Sequence, residues 1–437
     1  LPNNDFEEHK FKNLFKTQLF AKLCKKSYFD TQQKNANNMN NTNHKKQAAI
    51  SFANSEIAFA TKSNFALRKM QFLFEIINRQ TLVQIGTTLT EWALRWHLPI
   101  KPLIKYTIFE QFCGGETLIE MQDVVDKLGK ANVMALLDYG VEGKKNEAAF
   151  DETVEQITAA IRYSKTQKNI LAVSSKLTGL GRFELFEKVN KNETLSDAEQ
   201  LEFGRIKKRL HLLCEAAQKA NMSIYFDAEE SWIQDALDGL IMEMMEQYNK
   251  SEPIVYNTIQ LYRHDKLAYL KKCHEEAQAK KYLLAVKLVR GAYMEKERLR
   301  AKQKAYPSPI QPTKAATDKD YDAALDFCID NIEHIAFCNA SHNEASNLYL
   351  CELVKKLDLK TSHKHIVFGQ LYGMSDNISF NLAAAGYNVA KYLPYGAVKE
   401  VVPYLIRRAN ENTSVAGQVS RELNLIRQEL KRRQQKA

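Results

Sequence analysis

The chain has 437 residues, 45% apolar and 26% charged, enough for one large domain plus an appendage. No uninterrupted apolar run approaches the roughly 18 residues needed to cross a bilayer, which argues against a membrane-spanning chain. The net charge of +10 comes from Lys and Arg interleaved with Glu and Asp along the whole chain. That pattern implies a solvated basic surface, and after that an anionic membrane surface, rather than nucleic acid.

Residues 1–50 read as a variable segment. Phe11, Leu14, Phe15, Leu19 and Leu23 recur at helical spacing among Lys12, Lys16, Lys22, Lys25 and Lys26. A short basic amphipathic helix is expected there, docking on a membrane, on a partner or on its own protein. A polar linker from Gln32 to about Gln47 follows. The chain begins at Leu1 without Met, which is compatible with removal of a leader. Residues 51–130 show helical apolar spacing at Phe65, Leu67, Met70, Phe72, Leu73 and Ile76. Gly114-Gly115 interrupts them, and Glu116 to Leu128 resumes a helical pattern.

From 131 to 437 short apolar runs alternate with helical stretches. The runs are Val133–Asp138, Ile170–Lys176, Ser223–Glu229, Ile254–Gln260, Leu284–Arg290, Ile335–His342, His365–Gln370 and Tyr387–Tyr392. Eight strand-then-helix units predict an α/β fold, a distorted (βα)8 TIM-like barrel with an N-terminal helical extension; an open doubly wound sheet is the alternative. Most of the runs end in a polar residue, at the strand ends where barrel chemistry gathers. The cysteines Cys24, Cys113, Cys214, Cys273, Cys328, Cys338 and Cys351 include no C-x-x-C pair, so buried thiols are expected, not disulfides or a zinc site.

Three segments point to chemistry. After Tyr392-Leu393-Pro394-Tyr395-Gly396, a turn at Pro394 and Gly396 and a helix from about Lys399 are expected. That helix carries Tyr404 and the adjacent Arg407 and Arg408. Paired guanidinium forks bind a carboxylate or phosphate with defined geometry if the helix lies across a cavity mouth. Lys287-Leu288-Val289-Arg290-Gly291-Ala292-Tyr293 ends another strand, and Gly291 suggests close approach of a planar ligand. Asp227-Ala228-Glu229-Glu230 and Ser341-His342-Asn343 could build a metal-dependent hydrolase from Asp227, Glu229 and His342, but no H-x-H or H-E-x-x-H pair exists. Thr178-Gly179-Leu180-Gly181-Arg182 lacks the third glycine of a dinucleotide fingerprint.

Together these segments resemble the proline dehydrogenase family, from about Ser51 to the end. Lys287 to Tyr293 matches its strand-five signature, and Tyr392 to Asn412 its closing signature. Ser175-Lys176-Leu177, Asp227 to Glu230, Gln260-Leu261-Tyr262, Ser341 to Asn343 and Gln370 to Met374 match between them. The resemblance implies FAD across the C-terminal strand ends. Gln260 and Lys287 would meet the isoalloxazine, with Ala228 beside them. Arg290, Gly291, Ala292, Lys314, Ser341 and His342 would hold the ribityl, pyrophosphate and adenosine parts, and Glu411 the adenine end. Lys287 is arginine in many members, and lysine cannot repeat a forked contact. For substrate, it puts Arg407, Arg408 and Lys176 on a carboxylate, Asp227 as organiser, and Tyr293, Leu371 and Tyr392 around the ring.

The implied reaction is oxidation of L-proline to 1-pyrroline-5-carboxylate with FAD reduced and electrons passed to a membrane quinone, the first step of proline catabolism. Tyr392 closes the space that a hydroxyl on the ring would need, favouring proline over hydroxyproline; a dehydrogenase of hydroxyproline or another cyclic secondary amine is the alternative. The chain ends soon after the arginine helix, so a monofunctional enzyme is expected. A separate pyrroline-carboxylate dehydrogenase would then take the product. The expected location is the cytoplasm with peripheral contact at an inner membrane, or the mitochondrion in a eukaryote.

Overall fold

The computed structural model describes residues 50–96, 98–139, 146–414 and 416–436, apart from the side chains of 80, 91, 94, 95 and 409–419. The amphipathic segment and linker expected before residue 50, and the Glu411 side chain, lie outside the described residues.

All eight apolar runs form strands: β1 (Val133–Tyr139), β2 (Ile170–Ser175), β3 (Ser223–Phe226), β4 (Val255–Gln260), β5 (Leu284–Val289), β6 (Ile335–Ala340), β7 (Ile366–Leu371) and β8 (Val389–Tyr395). Each is parallel to the next, and β8 returns to β1, so the sheet closes and the open-sheet alternative falls. Burial on both faces explains why the strands read as near-continuous apolar runs. Outward residues such as Val133, Leu137, Val173 and Phe226 join the surrounding helices in one core.

Before the barrel come α1 (Ser55–Ala58), α2 (Asn64–Ile77), α3 (Gln80–Arg95), α4 (Lys101–Ile104), a π-helical turn (Lys105–Phe109), α5 (Glu110–Phe112) and α6 (Gln122–Gly129). The strands are then followed in turn by α7 (Glu147–Lys165), α8 (Phe183–Asn190) with α9 (Asp197–Ala220), α10 (Ser231–Tyr248), α11 (Lys266–Lys280), α12 (Met294–Lys304) with α13 (Lys314–Asp330), α14 (Glu344–Lys356), α15 (Asp376–Ala384) and α16 (Val398–Ser414). A last helix, α17 (Ala416–Lys436), follows α16. Boundaries obey local chemistry. Ser196 and Glu199 form a capping box at the start of α9, and Asn221 ends it in the left-handed conformation.

A second core joins the two ends of the described chain. Phe59, Leu67, Phe74 and Phe112 pack with Val401, Leu405, Leu425 and Ile426 of α16 and α17. Ser55 donates to Glu429 at 3.0 Å, and Arg433 donates to the carbonyls of Phe59 and Lys62 at 2.8 Å each. The six described cysteines are buried free thiols, as expected.

Two expectations need correction. Helix resumes only at Gln122, because residues 113–121 cover the barrel edge instead. Gly115 bridges Tyr395, and the Glu116 carboxylate accepts from the Val398 N–H at 3.3 Å and pairs with Lys101 and Lys105. Those cations outweigh burial and hold the Glu116 carboxyl at about 2. Second, β8 does not end at Tyr392 but runs through Pro394 to Tyr395. Pro394 is tolerated because pairing to β7 stops at Tyr392, so its missing N–H breaks no ladder bond. Its carbonyl still accepts from the Gly114 N–H at 2.8 Å.

Candidate active site

Strand alternation sorts the residues at the barrel's C-terminal end. Leu136, Ala172, Tyr225, Tyr256, Ala285, Cys338, Val367 and Ala390 face inward and fill the interior, with Tyr225 and Tyr256 stacked at 4.2 Å. Two residues further along each strand, the same inward parity falls on Asp138, Ser174, Asp227, Thr258, Lys287, Ala340, Gly369 and Tyr392. A floor of small and aromatic groups therefore lies beneath a polar layer.

That layer is linked by hydrogen bonds. The Tyr392 hydroxyl donates to Asp227 Oδ2 at 2.5 Å, and the other Asp227 oxygen pairs with Lys287 Nζ. Lys287 also lies 5.0 Å from the Tyr392 ring centroid. Ser174 Oγ is 2.8 Å from the Tyr392 hydroxyl and donates to Asp138 Oδ1 at 2.8 Å. Asp138 and Ser174 are buried members that sequence reasoning left without a role. The available signal was a lone carboxylate closing an apolar strand at inward parity.

Charge is distributed unevenly along this chain of groups. Burial opposes ionisation of Asp227, but Lys287 and Lys176 outweigh it and hold its carboxyl below the usual range. Burial raises the Asp138 carboxyl, with Lys176 opposing and Asp227 assisting. Burial also lifts the Tyr392 phenol well above its ordinary value, aided by both carboxylates. The phenol is thus a donor, and Asp227 the anion it serves.

Lys176 follows β2 at the entry to a 3-10 turn, Leu177–Gly179, within electrostatic reach of Asp138, Asp227 and Glu229. Glu229 is buried, accepts from the Thr178 N–H at 3.1 Å and its hydroxyl at 2.5 Å, and burial raises its carboxyl to about 7. Gln260, at the tip of β4, donates to the Glu229 carbonyl at 3.0 Å, while its buried Oε1 has no protein partner. A buried orphan acceptor of this kind fits a ligand that carries an N–H.

On the β5–β6 side, Arg290 donates to Asp318 at 2.8 Å, to Ser341 at 2.9 Å and to Ser346 at 3.0 Å. Lys314 reaches the second Asp318 oxygen at 2.5 Å. Both cations expected at a pyrophosphate thus converge on one carboxylate. Gly291 has φ +135°, and a Cβ there would lie 2.4 Å from the Tyr262 ring, so packing against a protein side chain already requires glycine at this position. Ala292 is exposed, Tyr293 half-buried before α12, and Ala228 buried behind Asp227.

His342 follows β6. Burial, then the charges of Lys391 and Arg408, push its imidazole down to about 3, so it is neutral. Its Nε2 accepts from the Leu371 N–H at 3.4 Å, which leaves Nδ1 to donate to Ser375 Oγ at 2.9 Å. Arg408 is only 8% exposed and lies 5.1 Å over the Tyr404 ring; Arg407, the next residue on α16, is half-buried. Leu371, at the tip of β7, packs against the cluster that holds Val401, Tyr404 and Leu405, which sets α16 beside the strand ends, with Arg408 out of bulk water. Asp227, Glu229 and His342, the three groups of the metal reading, form no metal-holding cluster among the described residues: each is held by different protein partners. Two surface clefts of about 630 and 410 Å³ lie elsewhere, around Trp232, Arg300, Tyr306 and Pro307, and include none of the expected site residues.

Comparison with known proteins agrees with the barrel fold. The family model described as "Proline dehydrogenase" matches residues 121–421. The chain is 33% identical over 323 residues to the carbapenem antibiotics biosynthesis protein CarD of Pectobacterium carotovorum, covering 74% of this chain and 83% of that one. It is 33% identical to mitochondrial proline dehydrogenase 1 of Dictyostelium discoideum over 77% of this chain and 66% of that one, so it spans just under two thirds of that relative. It is 31% identical to hydroxyproline dehydrogenase of Xenopus laevis, covering 89% and 91%. A crystal structure of proline utilization A from Bdellovibrio bacteriovorus, inactivated by N-propargylglycine, superposes with a TM-score of 0.65 at 21% identity. That match covers 82% of this chain and 38% of the other, and shows the shared barrel.

The fold and these relatives define a (βα)8-barrel oxidoreductase. The chain belongs to the proline dehydrogenase family.

Proposed function

We propose that the protein oxidises L-proline to 1-pyrroline-5-carboxylate, the opening step of proline catabolism, using FAD and passing electrons to a membrane quinone. One observation carries the reading: Lys287, Asp227 and Tyr392, from the ends of three separate strands, meet in the inward polar layer while α16, which bears Arg408, packs at the tip of β7 beside Leu371. Arg407, Arg408 and Lys176 supply cations for the substrate carboxylate, two of them as forks. Leu371, Tyr392 and Tyr293 bound the ring. Loss of a hydride from the carbon beside nitrogen, and of a proton from nitrogen, leaves the C=N bond of the product. Hydride transfer demands a donor–acceptor approach of about 3–3.5 Å, so fixing the carboxylate at one end and the ring at the other does most of the work.

The flavin, when bound, supplies the hydride acceptor. The residues fit such a group: Gln260 offers a buried unpartnered oxygen, and neutral His342, Ser341, Arg290 and Lys314 line the β5–β6 side where its polar chain would run. Ala228, Gly291, Ala292 and Glu411 complete the proposed set. The product would pass to a separate pyrroline-carboxylate dehydrogenase. The proposed location is peripheral at a membrane, mitochondrial in a eukaryote, as the name of the Dictyostelium relative suggests.

The visible spectrum tests this directly. Purified protein should show a flavin band that bleaches on anaerobic addition of L-proline; a colourless protein that stays colourless with added FAD would defeat the proposal. Hydroxyproline is the second reading, favoured by the 31% identical Xenopus relative. The Tyr392 phenol, held by Ser174 and Asp227, stands against it, and faster turnover of hydroxyproline than of proline would reverse that preference.

A further inference from the structure

The arginine-bearing helix α16 packs against α3 and against the turns between Lys101 and Phe109. Among the described residues, α3 itself presents an uncovered apolar face. Leu82, Ile85, Leu89 and Trp92, with Trp96 in the turn that ends the helix, are 40%, 56%, 58%, 52% and 66% exposed. At about 100° per residue these five positions share one stripe about 80° wide. Leu103 and Tyr106, in the turns that follow, are 67% and 69% exposed. Contiguous exposed apolar surface of this kind marks an interaction face rather than ordinary scatter.

Charge decides between occupants. Residues 61–110 carry seven Lys and Arg against three acidic residues, within a chain of net charge +10. Two copies meeting on this face would bring like charges together, whereas an anionic bilayer surface brings opposite ones. Side-chain type agrees. Leu and Ile occupy the stripe beside two Trp and a Tyr, whose rings join an apolar body to a polar edge and settle at headgroup depth. No described helix is long and apolar enough to cross a membrane, so the geometry is that of a helix lying in the interface.

We propose that the Leu82–Trp96 face of α3 seats the protein on an anionic lipid surface, with α16 connecting that surface to the strand ends of the candidate site. Docking stands on this face alone; its use, handing electrons to a lipid-soluble acceptor, rests on the reaction proposed above.

The test is sedimentation of the full chain with vesicles of phosphatidylglycerol and phosphatidylcholine, compared with phosphatidylcholine alone. Wild type should favour the anionic vesicles and release at high salt. The double variant Leu89→Glu/Trp92→Glu should lose at least about tenfold in partition, because each large apolar side chain removed from water is worth about that factor. Its turnover with a soluble dye acceptor should be unchanged, so that failure of the reaction and failure of docking are read separately. Should the variant misfold, a Trp232→Phe protein leaves Trp92 and Trp96 as the described reporters, and their emission should shift to the blue on vesicle addition. Equal partition of variant and wild type, or no emission shift, overturns the proposal. So does a wild-type dimer that the double variant converts to monomers, since a second copy would then be the occupant.

Discussion

Arg408 and Glu229 are two buried or near-buried charges with opposite demands. Arg408 stacks on Tyr404 and is assigned to the substrate, so Arg408→Met should raise the proline KM at least about tenfold, the loss of one charged contact, while the flavin spectrum stays intact. Loss of flavin at unchanged KM would contradict the assignment. Glu229 has its carboxyl raised to about 7 by burial. A raised folded value means stability that is full below the unfolded range near pH 4 and is lost as pH rises through 7. Glu229→Gln, which cannot ionise and keeps the Thr178 contacts, should therefore gain on wild type between pH 5 and 8, by roughly 3 kcal/mol at most. A denaturant midpoint difference that is flat across that window would remove the argument. At this scale the sequence displayed the polar strand ends but not their order. Lys287, Asp227 and Tyr392 were legible through resemblance, while Asp138 and Ser174 required the inward parity that only a closed register defines.

The loop from β7 to α15 joins four parts of the molecule. Gly373 accepts from Gln111 Nε2 at 2.7 Å, Ser375 receives His342, and the Ser375 N–H donates to Glu422 of α17 at 3.2 Å. Fully buried Lys391 pairs with Asp376 at 2.9 Å and donates to the Met374 carbonyl at 2.5 Å. Gly373 has φ +77°, and a Cβ there would lie 1.9 Å from the Gln111 carbonyl oxygen. Backbone cannot yield as a flexible side chain can. Gly373→Ala should cost more than about 2 kcal/mol in thermal or chemical unfolding and weaken His342 positioning with it. A melt indistinguishable from wild type would show that the loop relaxes freely. The strands themselves were legible because two-sided burial leaves continuous apolar runs. Pro394 read as a turn because sequence alone does not reveal where a neighbouring strand stops; helix was expected from Glu116 because nothing local announces that this stretch caps β8 and α16.

The whole described unit depends on contacts between its beginning and its end. Phe59, Leu67, Phe74 and Phe112 are almost fully buried against α16 and α17. Their burial is worth roughly 6–12 kcal/mol, comparable to the net stability of a domain. A chain cut to begin at residue 121, where the family match starts, keeps all eight strands but uncovers Val401, Leu405 and Ile426. It should lose cooperative melting by circular dichroism and bind proline far more weakly; unchanged melting and affinity would show that the early helices are dispensable. Helical spacing in residues 51–130 announced these helices but not their partners, which lie some three hundred residues away. The clasp between Ser55 and Glu429 also sets a timetable for biosynthesis. While the ribosome is still at work, the early helices wait with their oily side uncovered through the making of every strand, until α16 and α17 emerge to shelter them. Those helices therefore offer a chaperone an apolar surface for as long as the barrel is being made.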